Sequence, residues 1–141
     1  MHLFVYGTLL SAIPSSMSKF LGRKAELIGP ATTPGTLYDL GMYPGFRAGG
    51  TGTVHGELYR LNEATAAMTW EMLDAYESVT GAAEDEYERV GVPVTTAEGI
   101  TLEADTYVYR KPLGDKPVIP DGDYVTFFAE NALHQRFANG G

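Results

Sequence analysis
Two groups of residues, far apart in the chain, have the types that acyl chemistry needs: Tyr6-Gly7-Thr8-Leu9 and Glu77. Leu3 to Tyr6 is an apolar, partly β-branched run too short for a helix, which predicts a buried strand. Gly7 breaks it, and glycine tolerates positive φ or a close backbone approach. A strand ending in Gly-Thr leaves backbone N–H groups pointing outward beside a hydroxyl. Such a turn can hold a carboxylate or an oxyanion without any charged side chain. The same residues also suit an ordinary strand and turn.

Glu77 ends a helical pattern that runs from Ala64. At ~100° per residue, Ala66, Trp70, Leu73 and Glu77 fall within an arc of about 60°. Met72 and Tyr76 extend that apolar side, while Glu71 and Asp74 point more toward water. Glu77 is thus a carboxylate aimed where apolar residues go, and burial raises a carboxyl pKa. A group with that property can act first as a base and then as an acid. The alternative is a fraying helix end that bends Glu77 out to solvent.

Around these residues the chain is ordinary in ways that exclude other chemistries. Its 141 residues suit one domain, 1–141, with a real core. Apolar content of 44% and charged content of 20% are those of a folded globular protein. A net charge of −8, with no run of basic residues, argues against nucleic acid as a partner. The absence of cysteine excludes disulfides, thiolate nucleophiles and zinc–thiolate sites. His2, His55 and His134 form no ligand spacing, so neither a metal nor another cofactor is expected. Pro14, Ser15, Ser16 and Ser18 interrupt the start, which predicts no signal peptide, and no run approaches a membrane span. A cytoplasmic protein, a monomer or weak homodimer with no membrane partner, is the expectation.

The elements that must position the two groups follow in order. Pro14 suits a first helical turn, and Met17, Phe20 and Leu21 the buried side of a short helix stopped by Gly22. Ala25 to Ile28 and Thr36 to Tyr38 have strand patterns, separated by a loop with Pro30, Pro34 and Gly35. Asp39 to Phe46 is a loop of the kind that turns chains or lines pockets. Gly49-Gly50-Thr51-Gly52 suits a hairpin tip and lacks the lysine of a phosphate-binding loop. Thr53 to Leu61 alternates as a half-buried strand, with Val54, Gly56 and Leu58 on one side. Asn62 is the expected N-cap of the helix leading to Glu77.

Beyond a polar loop, Ser78 to Asp85, the next strand puts Tyr87 and Arg89 on one face and Val90, Val92 and Val94 on the other. Ala97-Glu98-Gly99 makes a hairpin turn. The return strand carries Leu102, Ala104, Thr106 and Val108 on one side, Tyr107 and Tyr109 on the other. Arg110 to Pro120 is irregular. Asp123 caps one last helix, with Phe127, Phe128, Leu133 and Phe137 as its apolar side and Gly140 at its end. The whole predicts an α+β fold with mostly antiparallel strands.

Tyr6-Gly7-Thr8-Leu9 and Leu73-Asp74-Ala75-Tyr76-Glu77 together resemble the gamma-glutamylcyclotransferase-like family. The likeness continues, in order, through Gly35-Thr36-Leu37-Tyr38-Asp39, Tyr43-Pro44-Gly45, Val54 to Tyr59, Tyr87-Glu88-Arg89 and Gly122-Asp123-Tyr124. It is nearest to the short bacterial proteins and the gamma-glutamylamine cyclotransferases. The resemblance implies a small β-barrel with flanking helices and a pocket at its mouth. It also implies that Tyr6, Gly7, Thr8 and Leu9 hold a γ-glutamyl group and that Glu77 is the catalytic acid/base. Tyr43, Tyr107 and Tyr124 are further expected pocket residues, from their loop and strand positions. Ser78 stands where many relatives have Gly, and Thr80 to Asp85 looks inserted, so the pocket rim is expected to differ.

The implied reaction is release of 5-oxoproline and a free amine from a small γ-glutamyl amine or peptide, classed as transferase or lyase chemistry. The nucleophile lies in the substrate, so no Ser or Cys is required. Two other readings stay open: a non-catalytic binder of small carboxylates, and a cyclotransferase for a carrier-bound γ-glutamyl group.

Overall fold
The computed structural model describes residues 1–140, except for the side chains of 139 and 140. Five strands form a closed barrel: β1 (His2–Val5), β2 (Ala25–Asp39), β3 (Pro44–Leu61), β4 (Tyr87–Thr96) and β5 (Thr101–Tyr109), in the order β1-β3-β2-β4-β5. Helices α1 (Ser16–Lys24), α2 (Ala66–Tyr76), α3 (Tyr124–Ala129) and α4 (Ala132–Gly140) flank it. Every strand pairing is antiparallel except the one that closes the barrel, where β1 runs parallel to β5 at Leu3 and Asp105. The α+β barrel expected from the sequence is the fold observed.

The closing seam has few backbone bonds, and side chains supply others. The Thr106 hydroxyl donates to the Phe4 carbonyl at 2.9 Å and the Tyr6 hydroxyl to the Tyr107 carbonyl at 2.7 Å. Both bonds are buried, where an unmade partner would cost about 1–3 kcal/mol. They fix the end of β1, and with it the loop that follows, against β5.

β2 is one strand of 15 residues, not two short ones separated by a proline loop. Its register against β3 shifts between Leu27 and Gly29 and again between Pro34 and Gly35. Such irregularities relieve a ladder of the N–H that proline lacks. At the second shift Pro34 faces Thr53 while Gly35 faces Ala48, so residues 49–52 bulge out of β3 without a partner on β2. Gly49 and Gly50 adopt φ of 86° and 82° there. The glycine run is therefore a bulge within a strand, and the hairpin turn lies earlier, where Leu40 N–H bonds the Tyr43 carbonyl.

α1 starts at Ser16 on a capping box between Ser15 and Ser18 and runs through Gly22, which does not stop it. α2 begins at Ala66, later than expected, because Asn62 turns the chain instead of capping the helix. Its side-chain oxygen accepts from Ala64 N–H and its carbonyl from Thr65 N–H. Ala66, Trp70 and Leu73 are buried as the periodicity requires, but Met72 is 46% exposed. Asp74 does not point to water. Its carboxylate accepts the Tyr107 hydroxyl at 2.6 Å and lies 3.7 Å from Arg89, whose guanidinium covers the Trp70 ring at 4.2 Å.

The C-terminal helix is two helices. Asp123 caps α3 as expected, accepting from Thr126 N–H. α3 stops at Ala129, where the Gln135 side chain donates to the carbonyls of Phe128 and Ala129, and Asn131 caps α4 by accepting from His134 N–H. Leu133 is 52% exposed, and the buried residue is instead His134. Its Nε2 faces the Asp39 carboxylate at 2.7 Å and its Nδ1 the Tyr124 hydroxyl at 2.7 Å. This network ties α4 to the end of β2.

Candidate active site
The loop after β1 is folded back on itself. Leu10 N–H bonds the Gly7 carbonyl, Ile13 N–H bonds the Leu10 carbonyl, and the Ser15 hydroxyl donates to the Thr8 carbonyl. Leu9, Leu10 and Ile13 are buried beneath it, each worth roughly 1.5–3 kcal/mol of apolar burial. The loop is thus held by its carbonyls and side chains. Among the described residues, the N–H groups of Gly7, Thr8 and Leu9 donate to no protein acceptor. Gly7 is required by proximity, since a Cβ there would lie 2.7 Å from the Pro44 ring.

Glu77 reaches the same place from α2. Its own N–H bonds the Leu73 carbonyl, so the residue is still tied to the helix. Ser78 N–H returns to the Ala75 carbonyl and Val79 N–H to the Asp74 carbonyl, the paired bonds of a Schellman end. Ser78 occupies the left-handed position of that motif with φ of 57°, the conformation that favours glycine. The helix end is therefore pinned rather than frayed, and the carboxyl of Glu77 is held inward.

Both groups line one cavity of about 270 Å³. Tyr6, Gly7, Thr8, Leu9, Glu77, Tyr43 and Tyr107 all contribute to its wall. Tyr124 does not; its side chain is fully buried against His134, Phe127 and Phe128. The helix break after Ala129 explains this, because α4 folds back and covers the ring. Tyr76, Ser78, Glu86, Tyr87 and Phe137 also line the cavity, and the sequence reading missed them as site residues. Tyr76 carried a signal in its place beside Glu77 on the apolar side of the helix, Tyr87 in the Tyr87-Glu88-Arg89 motif, and Ser78 in its expected effect on the pocket rim.

Five tyrosines surround the space, and every hydroxyl has a partner. Tyr6 bonds the Tyr107 carbonyl, Tyr87 the Pro44 carbonyl, Tyr107 Asp74, Tyr43 Glu86, and Tyr76 shares a hydrogen bond with Thr8 at 2.9 Å. Burial, the largest cause in each case, raises all five pKa values, Tyr43 to about 12. These phenols stay protonated and occupied. Glu77 is the contrast. Its carboxyl makes no side-chain hydrogen bond among the described residues, and desolvation raises its pKa from 4.5 to about 7. A carboxyl without partners, half protonated near neutrality, lines the same cavity as residues whose backbone donors have no acceptors.

Residues 3–126 match the family described as gamma-glutamyl cyclotransferase, AIG2-like, and the chain belongs to that family. It is 36% identical over 126 residues to the gamma-glutamylcyclotransferase family protein YtfP of Escherichia coli, covering 89% of this chain and 96% of that protein. The solution structure of the Escherichia coli protein superposes with a TM-score of 0.58 at 34% identity, covering 89% of this chain and 96% of that one. An AIG2-like protein from Mus musculus, at 23% identity and a TM-score of 0.67 over 87% of this chain and 86% of that one, shares the fold. The family match ends before α4, so the Phe137 wall of the cavity lies outside it. No helix among the described residues is long and apolar enough to cross a membrane.

Proposed function
We propose that the protein is a γ-glutamyl cyclotransferase that releases 5-oxoproline and a free amine from a small γ-glutamyl amine or peptide, with Glu77 as its acid/base. The observation that carries this reading is the Glu77 carboxyl, free of partners, poised near pH 7 and sharing a cavity with the Gly7-Thr8-Leu9 amides. Membership of the family supports the reaction class.

Each group then has a task. The Glu77 carboxylate takes a proton from the substrate's α-ammonium. The freed amine attacks the γ-carbonyl carbon, forming the ring C–N bond and placing negative charge on the carbonyl oxygen. Backbone donors of Gly7, Thr8 and Leu9 stabilise that oxygen or the substrate's α-carboxylate. Glu77 then gives its proton to the leaving nitrogen and takes the extra proton from the ring nitrogen. The carbonyl re-forms as the original amide C–N bond breaks, and 5-oxoproline departs with the amine, which leaves as an ammonium and returns Glu77 to its carboxylate. Acid/base work of this kind is typically worth ~10²–10⁴-fold and one oxyanion donor about 10²–10³-fold.

A panel of γ-glutamyl amines and γ-glutamyl dipeptides, assayed for 5-oxoproline by chromatography, tests the reading. At least one member is expected to release 5-oxoproline and amine in equal amounts. Binding of several members with release from none would leave a carboxylate-binding module and remove the enzyme.

A further inference from the structure
The cavity holds a second carboxylate for which the cyclisation has no use. Glu86 lies at its exposed rim, immediately before Tyr87 at the start of β4. The Tyr43 hydroxyl donates to both of its oxygens, at 2.8 and 3.2 Å, which fixes the group while leaving most of its acceptor capacity open. No Lys, Arg or His lines the cavity, and Glu86 forms no ion pair among the described residues. Its position is also built. Arg110 N–H bonds the Glu86 carbonyl. The preceding loop is knotted by Asp85, whose carboxylate accepts from Thr80 N–H, the Thr80 hydroxyl and Gly81 N–H.

The Tyr43 ring packs 5.1 Å from Phe137 and 6.4 Å from Tyr87, so the carboxylate stands beside an aromatic rim. An alkyl chain ending in an ammonium fits those neighbours, through apolar contact, an ion pair and attraction to the ring faces. A γ-glutamyl group has its own ammonium, but that belongs to Glu77 if it is to lose its proton. The charge at Glu86 is left for the other half of the substrate.

We infer that Glu86, held by Tyr43, is a specificity-determining residue that selects γ-glutamyl amines whose leaving group carries a second, cationic amine. The inference rests on the cyclotransferase reading of the same cavity, and it can be tested apart from turnover. γ-Glutamyl-putrescine and γ-glutamyl-pentylamine have leaving groups of matched length, with an ammonium and a methyl at the far end. Dissociation constants for both are measured by calorimetry on Glu77→Gln and on Glu77→Gln with Glu86→Gln, and 5-oxoproline release on wild type and Glu86→Gln.

The expected result is about five- to tenfold tighter binding of the putrescine compound, the range of a partly exposed but tethered ion pair, collapsing to near parity in the Glu86→Gln background. The kcat/KM ratio follows the same pattern, carried mainly in KM. A binding preference without any 5-oxoproline release sinks the cyclotransferase reading and keeps Glu86 as a cation reader. Release from both compounds with equal affinity does the reverse. Failure of the putrescine compound to bind, or a preference that survives Glu86→Gln, overturns the inference.

Discussion

Glu77→Gln is expected to lower kcat for 5-oxoproline release by at least ~10²-fold, with the barrel intact. Glutamine keeps the size of the side chain but cannot accept the α-ammonium proton, and no cavity tyrosine can replace it because each hydroxyl is already bonded. Stability moves the other way. The folded pKa of Glu77 is raised from 4.5 to about 7. Its stabilising protonation is therefore complete below pH 4.5 and is lost as pH rises through about 7. Glutamine has no proton to lose, so the variant should match or exceed the wild-type Tm at pH 7 and above, as read by circular dichroism melts.

The control must be chosen from the structure. Asp74, which the helical wheel places toward water, holds the Tyr107 hydroxyl and faces Arg89, so its replacement is not neutral. Glu71, exposed on the same helix, is the suitable comparison. Wild-type turnover by Glu77→Gln, or equal losses in Glu77→Gln and Glu71→Gln, would show that the acid/base lies elsewhere.

Gly56→Ala should do the most damage to the fold. Gly56 sits in β3 where β1 passes, and a Cβ there would lie 2.1 Å from the Val5 carbonyl oxygen and 2.6 Å from the Phe4 ring. One contact is backbone, which cannot rotate away, so β1 must separate from β3 along the Val5–Glu57 pairing. Overpacking of this kind costs about 1–3 kcal/mol or more, or a Tm loss of roughly 5–10 °C in a chain of this size. Activity should fall with it, because β1 carries the Gly7-Thr8-Leu9 loop. A melt and an assay on the soluble fraction check both. An unchanged Tm would mean that β1 does not pass there.

Gly56 also shows what the sequence could and could not disclose. Its alternation with Val54 and Leu58 marks a strand, but nothing local says that another strand lies against its backbone. The β4–β5 hairpin was legible throughout. Period-two alternation puts Tyr87, Arg89, Tyr107 and Tyr109 on one face, and the register joins Tyr87 to Tyr109 and Arg89 to Tyr107. The length of β2 was hidden because Pro30 and Pro34 ordinarily end strands, and here long-range pairing with β3 overrides them through two register shifts.

At the site, Tyr6 to Leu9 and Glu77 carry ordered motifs, whereas Glu86 arrives by loop geometry without a local pattern, and Phe137, legible as an apolar helix residue, reaches the cavity on a separate α4 that the pattern did not divide from α3. The His134 network joins residues 95 positions apart, and a buried histidine looks no different in sequence from a surface one. Ser78 supplies the left-handed turn that ends α2 just after Glu77.

The most direct measurement of the central claim is the pH dependence of kcat/KM for 5-oxoproline release by the wild-type protein. If Glu77 must be ionised to take the α-ammonium proton, the rate should climb tenfold per pH unit below an inflection near pH 7, the value to which desolvation raises its carboxyl. A profile already level at pH 5 would mean a carboxyl of ordinary pKa, or no carboxyl at all, and would contradict the account.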